Sequence, residues 1–572
     1  MTTPASPSPT PNPGEPTGPS WRERLEHQPA QLALGLGSLL LLALALAAGW
    51  YVLGRMSPPA RPAITPPASL AELIDEYPQM AGVLSDPKLD SVYKDFLQAY
   101  QEGGVDAAYR LAGTRGLLNA NGDIRLTLEL DTTDTAMLKN DLESFGVQVT
   151  AEHGSEIDIA IPRALIDQLA DSEDPSALFE QLSSLQRIKR IRLPSPSIQD
   201  DEGIGTESVP VIGANAWQQA GITGRGIRVG VLDRGFDAYT RLLGSDLPQQ
   251  VTARSFISGV DIDQTGSVHG AAVAEIIHDI APDAELYFAA YDTDVEFRLA
   301  VDWLLSQKVR VISHSAGSMY GPMNGTSPDA LMVDQIVADG VLWVNSAGNT
   351  GYTHYRGVFT DQDGDGFHEF APNDPLMDFI ANGPSVFVLN WDDWGRGLED
   401  FDLYILDAAG TELASSTNIQ DGPEDDSAEI IFYNFDDSKV YYLAFYAKRS
   451  TRPVVFDFYM REGRIEYYTA EGSITTPGDA RRSLTVGATN WSDDVLEDYS
   501  AQGPTRDGRL KPDLVAPAGV SSAAYGKTWQ GTSASTPHVS GVAALVRQAF
   551  PNYSPDQVSE FLEARARDLG PG

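Results

Sequence analysis

The spacing of apolar residues changes along this 572-residue chain, and each change predicts a different kind of element. Residues 1–27 are rich in Pro, Ser and Thr without an apolar period, so they have little surface to bury and read as a disordered tail. From Gln28 to Gly54 no charge appears, and positions 39–46 are all Leu or Ala, enough to cross a bilayer core. That run is either a membrane span or a long signal sequence. Ala45-Leu46-Ala47 suits a signal peptidase, but the segment is long for a cleaved signal, which favours an uncleaved anchor over 28–54. Arg22 and Arg24 on one side balance Arg55 and Arg61 on the other, so charge alone leaves its orientation open. Clustered prolines predict a stiff linker over 55–68, and a helical segment follows over 69–122.

Over 123–195 the period shortens. Ile124, Leu126, Leu128 and Leu130 alternate with Arg125, Thr127 and Glu129, as on a half-buried strand, and Leu138, Leu142 and Phe145 then fall at helical spacing. Strands are expected at 147–149 and 157–161, helical material at 163–185 and a last strand at 188–193. The order βαββαβ predicts a ferredoxin-like α+β unit, which by itself assigns no function. Further along, 385–468 carries short aromatic strand-like runs separated by Gly, Asp and Pro turns, the pattern of a small β-sandwich.

Composition narrows the chemistry. Eighty acidic against 40 basic residues give a formal charge of −40, which argues against nucleic acid as a partner. The chain has no cysteine, which excludes disulfides, thiolate catalysis and Cys-ligated zinc.

Four short stretches carry the candidate chemistry. The apolar run 227–232 ends in Asp233, a carboxylate at the end of a strand, where open α/β sheets place their ligands. His269 stands beside Gly270 ahead of helical material, and His278, His314 and His538 read as structural. The strand-like run 341–344 leads through Ala347 and Gly348 to Asn349, an amide able to donate to an oxyanion. Ser315, Ala316 and Gly317 offer small residues beside which an extended substrate would lie as an added strand. Last comes Gly531-Thr532-Ser533-Ala534-Ser535-Thr536-Pro537-His538, where Pro537 suits a first helical turn and Ser533 would sit among outward-pointing N–H groups.

The ordered set Asp233, His269, Asn349 and Ser533 resembles the subtilisin-like serine peptidases, the subtilases, from about Val209 to the end of the chain, including Asp498-Tyr499-Ser500 and Lys511-Pro512-Asp513. The resemblance implies a mostly parallel sheet flanked by helices, in two parts over 205–350 and 476–572. It also implies that Ser533 is the nucleophile, His269 its base, Asp233 the orienting acid and Asn349 an oxyanion donor, with Ser315, Ala316, Gly317, Ala347 and Gly348 lining the substrate. Ala534 and Ala271 depart from the family's usual methionine and threonine, and neither removes a catalytic group. By the same resemblance the ferredoxin-like unit is an inhibitory propeptide, cleaved between about Pro194 and Val209. The partners implied are protein or peptide substrates and, through the anchor, the cell membrane, with the catalytic part outside the cytoplasm; secretion after signal cleavage is the alternative. The family's last elements are not reached by Gly572, as in a shortened chain. A catalytically silent binding protein is the competing class.

The 184 positions from 349 to 533 exceed what neighbouring strands of one sheet need, so an inserted domain is expected over 351–475. Ahead of its sandwich, Asp361, Asp363 and Asp365 with Gly366 match the first half of an EF-hand loop, but Pro372 stands where the bidentate Glu belongs. A structural calcium and a solvated acidic turn both fit, and the implied chemistry itself needs no cofactor.

Overall fold

The computed structural model describes residues 73–75, 77–119, 121–133, 135–172, 175–194, 198–199, 207–436 and 438–570, all within one of the chain's two units, residues 63–572. The expected tail, the anchor and the Pro-rich linker lie outside the described residues. Among the described residues no helix is long and apolar enough to cross a membrane.

The alternating run is strand β1 (Ile124–Leu130), with Ile124, Leu126 and Leu128 fully buried on its apolar face. It follows helix α1 (Ser91–Thr114), which kinks where Gly104 takes φ 71°, and precedes α2 (Ala136–Ser144), β2 (Gln148–His153) and β3 (Glu156–Ile161). Helical material expected as one stretch is two helices, α3 (Arg163–Ser172) and α4 (Ser176–Ser184). Pro175 caps the second, since proline lacks an N–H and disfavours helix in the residue before it. Strand β4 (Ile188–Arg192) completes an antiparallel sheet of order β2-β3-β1-β4, and β5 (Ile198–Gln199) lies apart from it.

The polar face of β1 is covered rather than solvated. Arg125 pairs with Asp292 at 3.3 Å, and Thr127 donates to Asp158 at 2.6 Å, whose other oxygen accepts from Thr293 at 2.6 Å. A period-2 pattern therefore marks two buried faces here, one apolar and one ionic.

Beyond residue 224 the chain alternates strand and helix: β6 (Arg228–Asp233), β7 (Thr252–Ser255), α5 (His269–Ile280), β8 (Glu285–Ala290), α6 (Asp294–Ser306), β9 (Val311–His314), the short β10 (Ala316–Gly317), α7 (Pro328–Ala338) and β11 (Leu342–Ser346). The insertion then supplies β12 (His354–Val358), β13 (Met377–Ile380), β14 (Gly383–Trp391), β15 (Asp400–Leu406), β16 (Glu412–Ser416), β17 (Ala428–Phe435), β18 (Val440–Arg449), β19 (Val455–Met460) and β20 (Arg464–Ile465), and after it come β21 (Leu484–Asn490), β22 (Leu514–Ala518), α8 (Thr532–Ala549) and α9 (Pro555–Glu563). Seven parallel strands form one sheet of order β22-β21-β11-β9-β6-β8-β7. Helices α5 and α8 share a core with it through Val273, Ile277, Ala543 and Val546, while Phe297, Val301, Val333 and Trp343 fill a second cluster with α6 and α7.

Two antiparallel sheets, β12-β19-β14-β17 and β16-β15-β18-β13-β20, enclose an aromatic core of Phe379, Phe387, Trp391, Phe401, Phe445, Phe456 and Phe458. Strands β12, β13, β16 and β20 were not among those expected from sequence; they are short, and their buried members include His and Ser residues that break the apolar alternation. Asn390 on β14 fixes this insertion to the segment after β10, donating to the Met319 carbonyl at 2.9 Å and accepting from the Gly321 N–H at 3.1 Å.

Asp457 on β19, fully buried, is the ionic anchor between insertion and parallel sheet. It accepts from Arg356 at 2.6 Å, His354 at 3.2 Å and Arg506 Nε at 2.7 Å. Burial alone would raise its carboxyl, but Arg506 and His354 outweigh it and hold it well below the usual carboxylate range. A carboxyl depressed in the folded state contributes stability that is present above about pH 4 and lost as pH falls further. Asp457→Asn is expected to lower the unfolding free energy by about 3–5 kcal/mol in urea denaturation at pH 7, with the difference from wild type shrinking below pH 4; an unchanged midpoint at pH 7 would contradict the anchor.

Candidate active site

Three adjacent strands of the parallel sheet, β6, β9 and β11, deliver their carboxyl ends to one edge, where Asp233, Ser315 and Asn349 stand, and the starts of α5 and α8 bring His269 and Ser533. Asp233 is the last residue of β6 and His269 the first of α5; both are fully buried. The His269 Nδ1 lies 2.9 and 2.7 Å from the two Asp233 oxygens, and the Arg234 N–H donates to the same carboxylate at 2.8 Å. A carboxylate at zero exposure needs such partners, because an unpaired buried charge is costly. Gly270 is required by close approach: a Cβ there would stand 2.7 Å from the Gly235 oxygen and from the Phe236 ring. The Trp529 ring meets the His269 ring edge-on at 5.5 Å.

Helix α8 begins at Thr532, so Pro537 lies inside it rather than near its start, and Ser533 belongs to its first turn. The proline leaves a consequence four residues back. It has no N–H to give the Ser533 carbonyl, and that carbonyl instead accepts from the Ser315 hydroxyl at 3.0 Å. The Ser533 hydroxyl in turn donates to the Ser315 carbonyl at 2.8 Å. The two serines thus clasp each other across the sheet edge, with the Ser533 hydroxyl held by Ser315.

Asn349 follows β11, and its side-chain oxygen accepts from both the Thr532 N–H, 2.9 Å, and the Thr532 hydroxyl, 3.0 Å. Two donors on one atom assign it as oxygen, which leaves the amide NH₂ pointing the other way. The Gly348 N–H donates to the Thr532 hydroxyl at 3.2 Å, tying the Ala347–Gly348 segment to the same helix start.

Ser315, Ala316 and Gly317 form the edge at β10, and β5 pairs with it antiparallel, with Gln199 opposite Ala316 and Ile198 opposite Gly317. On the other side stands Thr475, whose hydroxyl lies 3.3 Å from the Ala347 oxygen. A Cβ on Gly317 would come within 2.5 Å of that hydroxyl, and one on Gly348 within 2.9 Å, so both glycines are needed for the two segments to flank Thr475.

The structure therefore brings together Asp233 with His269, Ser533 with Ser315, and Asn349 with Thr532, all on one edge of one sheet. Thr532 and Thr475 were not singled out from sequence. Their hydroxyls act on residues more than a hundred positions away, and no local pattern encodes that. Ala271 and Ala534, the two departures from the family pattern, are buried in the core shared by α5 and α8.

The remaining rings are structural. His314 is bounded by Asn345 and Tyr291, each at 2.7 Å, and burial pushes its ring down to about 4; His538 Nδ1 donates to the Ala534 carbonyl at 2.7 Å, and burial likewise pushes this ring down to about 4. Burial also lowers His278. Asp361, Asp363 and Asp365 bring one oxygen each within 4.8 Å of one another, and the same carboxylates accept the N–H groups of Gly364, Asp365, Gly366 and Phe367.

Residues 224–368 and 468–572 match the sequence model of the subtilase family. The chain is similar to Bacillopeptidase F of Bacillus subtilis (strain 168), 39% identical over 103 residues that cover 17% of this chain and 7% of that protein. It is also similar to the serine protease AprX of the same organism, 34% identical over 116 residues, 16% of this chain and 26% of the relative. The longest of these matches is to the minor extracellular protease Vpr, again of Bacillus subtilis (strain 168), 23% identical over 416 residues that cover 62% of this chain and 49% of Vpr. The chain thus spans about half or less of the length of these relatives.

His314 and His538 are held neutral while their unfolded counterparts titrate near 6.5, so each withdraws stability as pH falls from about 6.5 to about 4 and changes nothing above that window. Histidine NMR is expected to show both rings neutral at pH 5.5; an imidazolium signal from either above pH 6 would contradict the assignment.

Proposed function

We propose that the chain is a serine endopeptidase of the subtilase family, hydrolysing peptide bonds through an acyl-enzyme on Ser533. The observation that carries this reading is the convergence, at the carboxyl edge of one parallel sheet, of a buried Asp233–His269 pair with Ser533 and an oriented Asn349 amide. In this reading the Ser533 hydroxyl turns from the Ser315 carbonyl to His269 Nε2 and loses its proton to that ring as its oxygen attacks the scissile carbonyl. Asp233 keeps the proton on Nδ1, so that Nε2 is the basic nitrogen, and stabilises the imidazolium that forms. The oxyanion accepts from the Asn349 NH₂ and the Ser533 N–H. His269 then protonates the departing amine, and water repeats the sequence on the acyl-enzyme. Ser315, Ala316 and Gly317 bind the substrate as an added strand, with Ala347 and Gly348 as the facing wall.

The N-terminal sheet unit is, in the same proposal, an inhibitory propeptide. Its support is β5, which already occupies the β10 edge in antiparallel register, where a peptide substrate would pair. The apolar run 28–54 supports a single-span anchor in the cell membrane, and the likeness to a protease named as extracellular supports a peptidase outside the cytoplasm. A structural calcium at Asp361, Asp363 and Asp365 rests on their convergent oxygens alone.

Three outcomes follow. A fluorophosphonate probe should label the processed wild-type protein and leave Ser533→Ala unlabelled, and Asn349→Ala should lose on the order of a hundred- to a thousandfold in kcat with KM little changed; absence of wild-type labelling would favour a silent binding protein. Intact mass and N-terminal sequencing should place the mature start after Gln199 and no later than Val209, and a fully active unprocessed chain would overturn the propeptide reading. Calcium added to metal-stripped protein should raise Tm in wild type but not in Asp363→Asn, whereas equal Tm with and without calcium leaves an acidic turn.

A further inference from the structure

A cavity of about 270 Å³ opens directly beside the Gly317–Ser318 edge, walled by Tyr291, Phe297, Tyr320 and Trp394 and by the carboxylates Asp294, Asp329 and Asp426. The Tyr320 and Trp394 rings meet edge-on at 5.6 Å. An arginine of the N-terminal unit is lodged in it. Arg192 on β4, 7% exposed, reaches Asp294 at the start of α6 at 2.6 Å, and also pairs with Glu156 at 3.0 Å and with Glu129. Two residues earlier on the same face of β4, Arg190 reaches Asp426 of the insertion at 2.5 Å, and Asp426 also accepts from the Tyr320 hydroxyl.

Removing the N-terminal unit takes away Arg190, Arg192, Glu129 and Glu156. Among the described residues lining the cavity, what stays is Asp294, Asp329 and Asp426 against Arg298, which keeps Asp329 as a partner at 3.3 Å and loses Glu156. Asp294 and Asp426 are then left without the guanidinium groups that cover them. One oxygen of Asp294 is buried without a hydrogen-bond partner even now. Carboxylates flanked by aromatic faces are the complement of a guanidinium or ammonium group.

We propose that this cavity is a subsite for basic side chains of the substrate, so that the mature enzyme selects peptides carrying Arg or Lys upstream of the cleaved bond. The inference rests on the proposed peptidase activity and deepens it. A strand added antiparallel to β10 continues upstream past Ser318 and Tyr320, which brings its side chains to the cavity. Residues two apart on an extended strand lie on one face about 7 Å apart, so an Arg-x-Arg stretch presents its first arginine to Asp426 and its second to Asp294, as Arg190-Ile191-Arg192 does. Each such contact is charge-assisted, and the pair of them is expected to favour basic over uncharged peptides by about tenfold or more in kcat/KM.

The test uses processed wild-type protein and fluorogenic peptides identical except for Arg-x-Arg, Gln-x-Gln or Glu-x-Glu at each upstream spacing, with fluorophosphonate labelling run alongside. The expected result is at least one spacing at which Arg-x-Arg is preferred about tenfold over Gln-x-Gln, with Glu-x-Glu poorest and the preference shrinking in high salt. Asp294→Asn with Asp426→Asn should bring the Arg-to-Gln ratio toward one; because both carboxylates also hold the N-terminal unit, the wild-type series decides the matter if that variant fails to mature. Labelled enzyme with no basic preference at any spacing overturns this inference alone, and enzyme that neither labels nor cleaves overturns the proposed function and this inference with it.

Discussion

A carboxylate with no exposure to water has to be paired, and in this protein Asp233 is paired by the His269 ring and the Arg234 N–H. That requirement ties the end of the central strand β6 to the start of helix α5 and gives the sheet edge its polarity. Around it the parallel sheet imposes its own geometry: β6, β9 and β11 are neighbours, so whatever leaves their carboxyl ends must converge. Ser315 and Asn349 leave there, and helix α8 then closes on both of them through Ser533 and Thr532. The site is a property of strand order, since its members are scattered from Asp233 to Ser533.

The insertion shows how such a site tolerates a long interruption. Its two sheets carry their own aromatic core, and Val386, Val388 and Tyr459 also pack with Met319 and Met323 of the segment after β10. Polar contacts join it to the rest of the chain as well: Asn390 pins the backbone after β10, and Asp457 binds Arg506 on the returning chain. Asp426, also of the insertion, faces the cavity beside the β10 edge. The N-terminal unit meets the same edge from the other side through β4 and β5, so the segment around Ser318 and Tyr320 is shared by three parts of the chain.

Much of this was legible in the sequence, for identifiable reasons. The alternation in β1 and the apolar-rich runs of β6 and β11 are legible signals, and Asp233, His269, Asn349 and Ser533 stand in motifs whose order carries information. What stayed hidden was of two kinds. Helix starts depend on dihedrals that small residues leave undetermined, so Pro537 pointed to a first turn while the helix begins at Thr532, five positions before it. The second kind is pairing at long range. Nothing near Thr532 announces Asn349, nothing near Thr475 announces Gly317 and Gly348, and the ionic face of β1 reads locally as solvated because its partners, Asp292 and Thr293, come from another part of the chain.

The claim on which the rest depends is that Ser533 becomes acylated during turnover. The most direct measurement mixes processed protein with an activated peptide ester, quenches it in acid within the first turnover and maps the adduct by mass spectrometry. The account predicts an acyl group on the peptide containing Ser533, formed faster than it is lost and abolished by His269→Ala. Turnover of the ester with no adduct there, or an adduct on another residue, would contradict it.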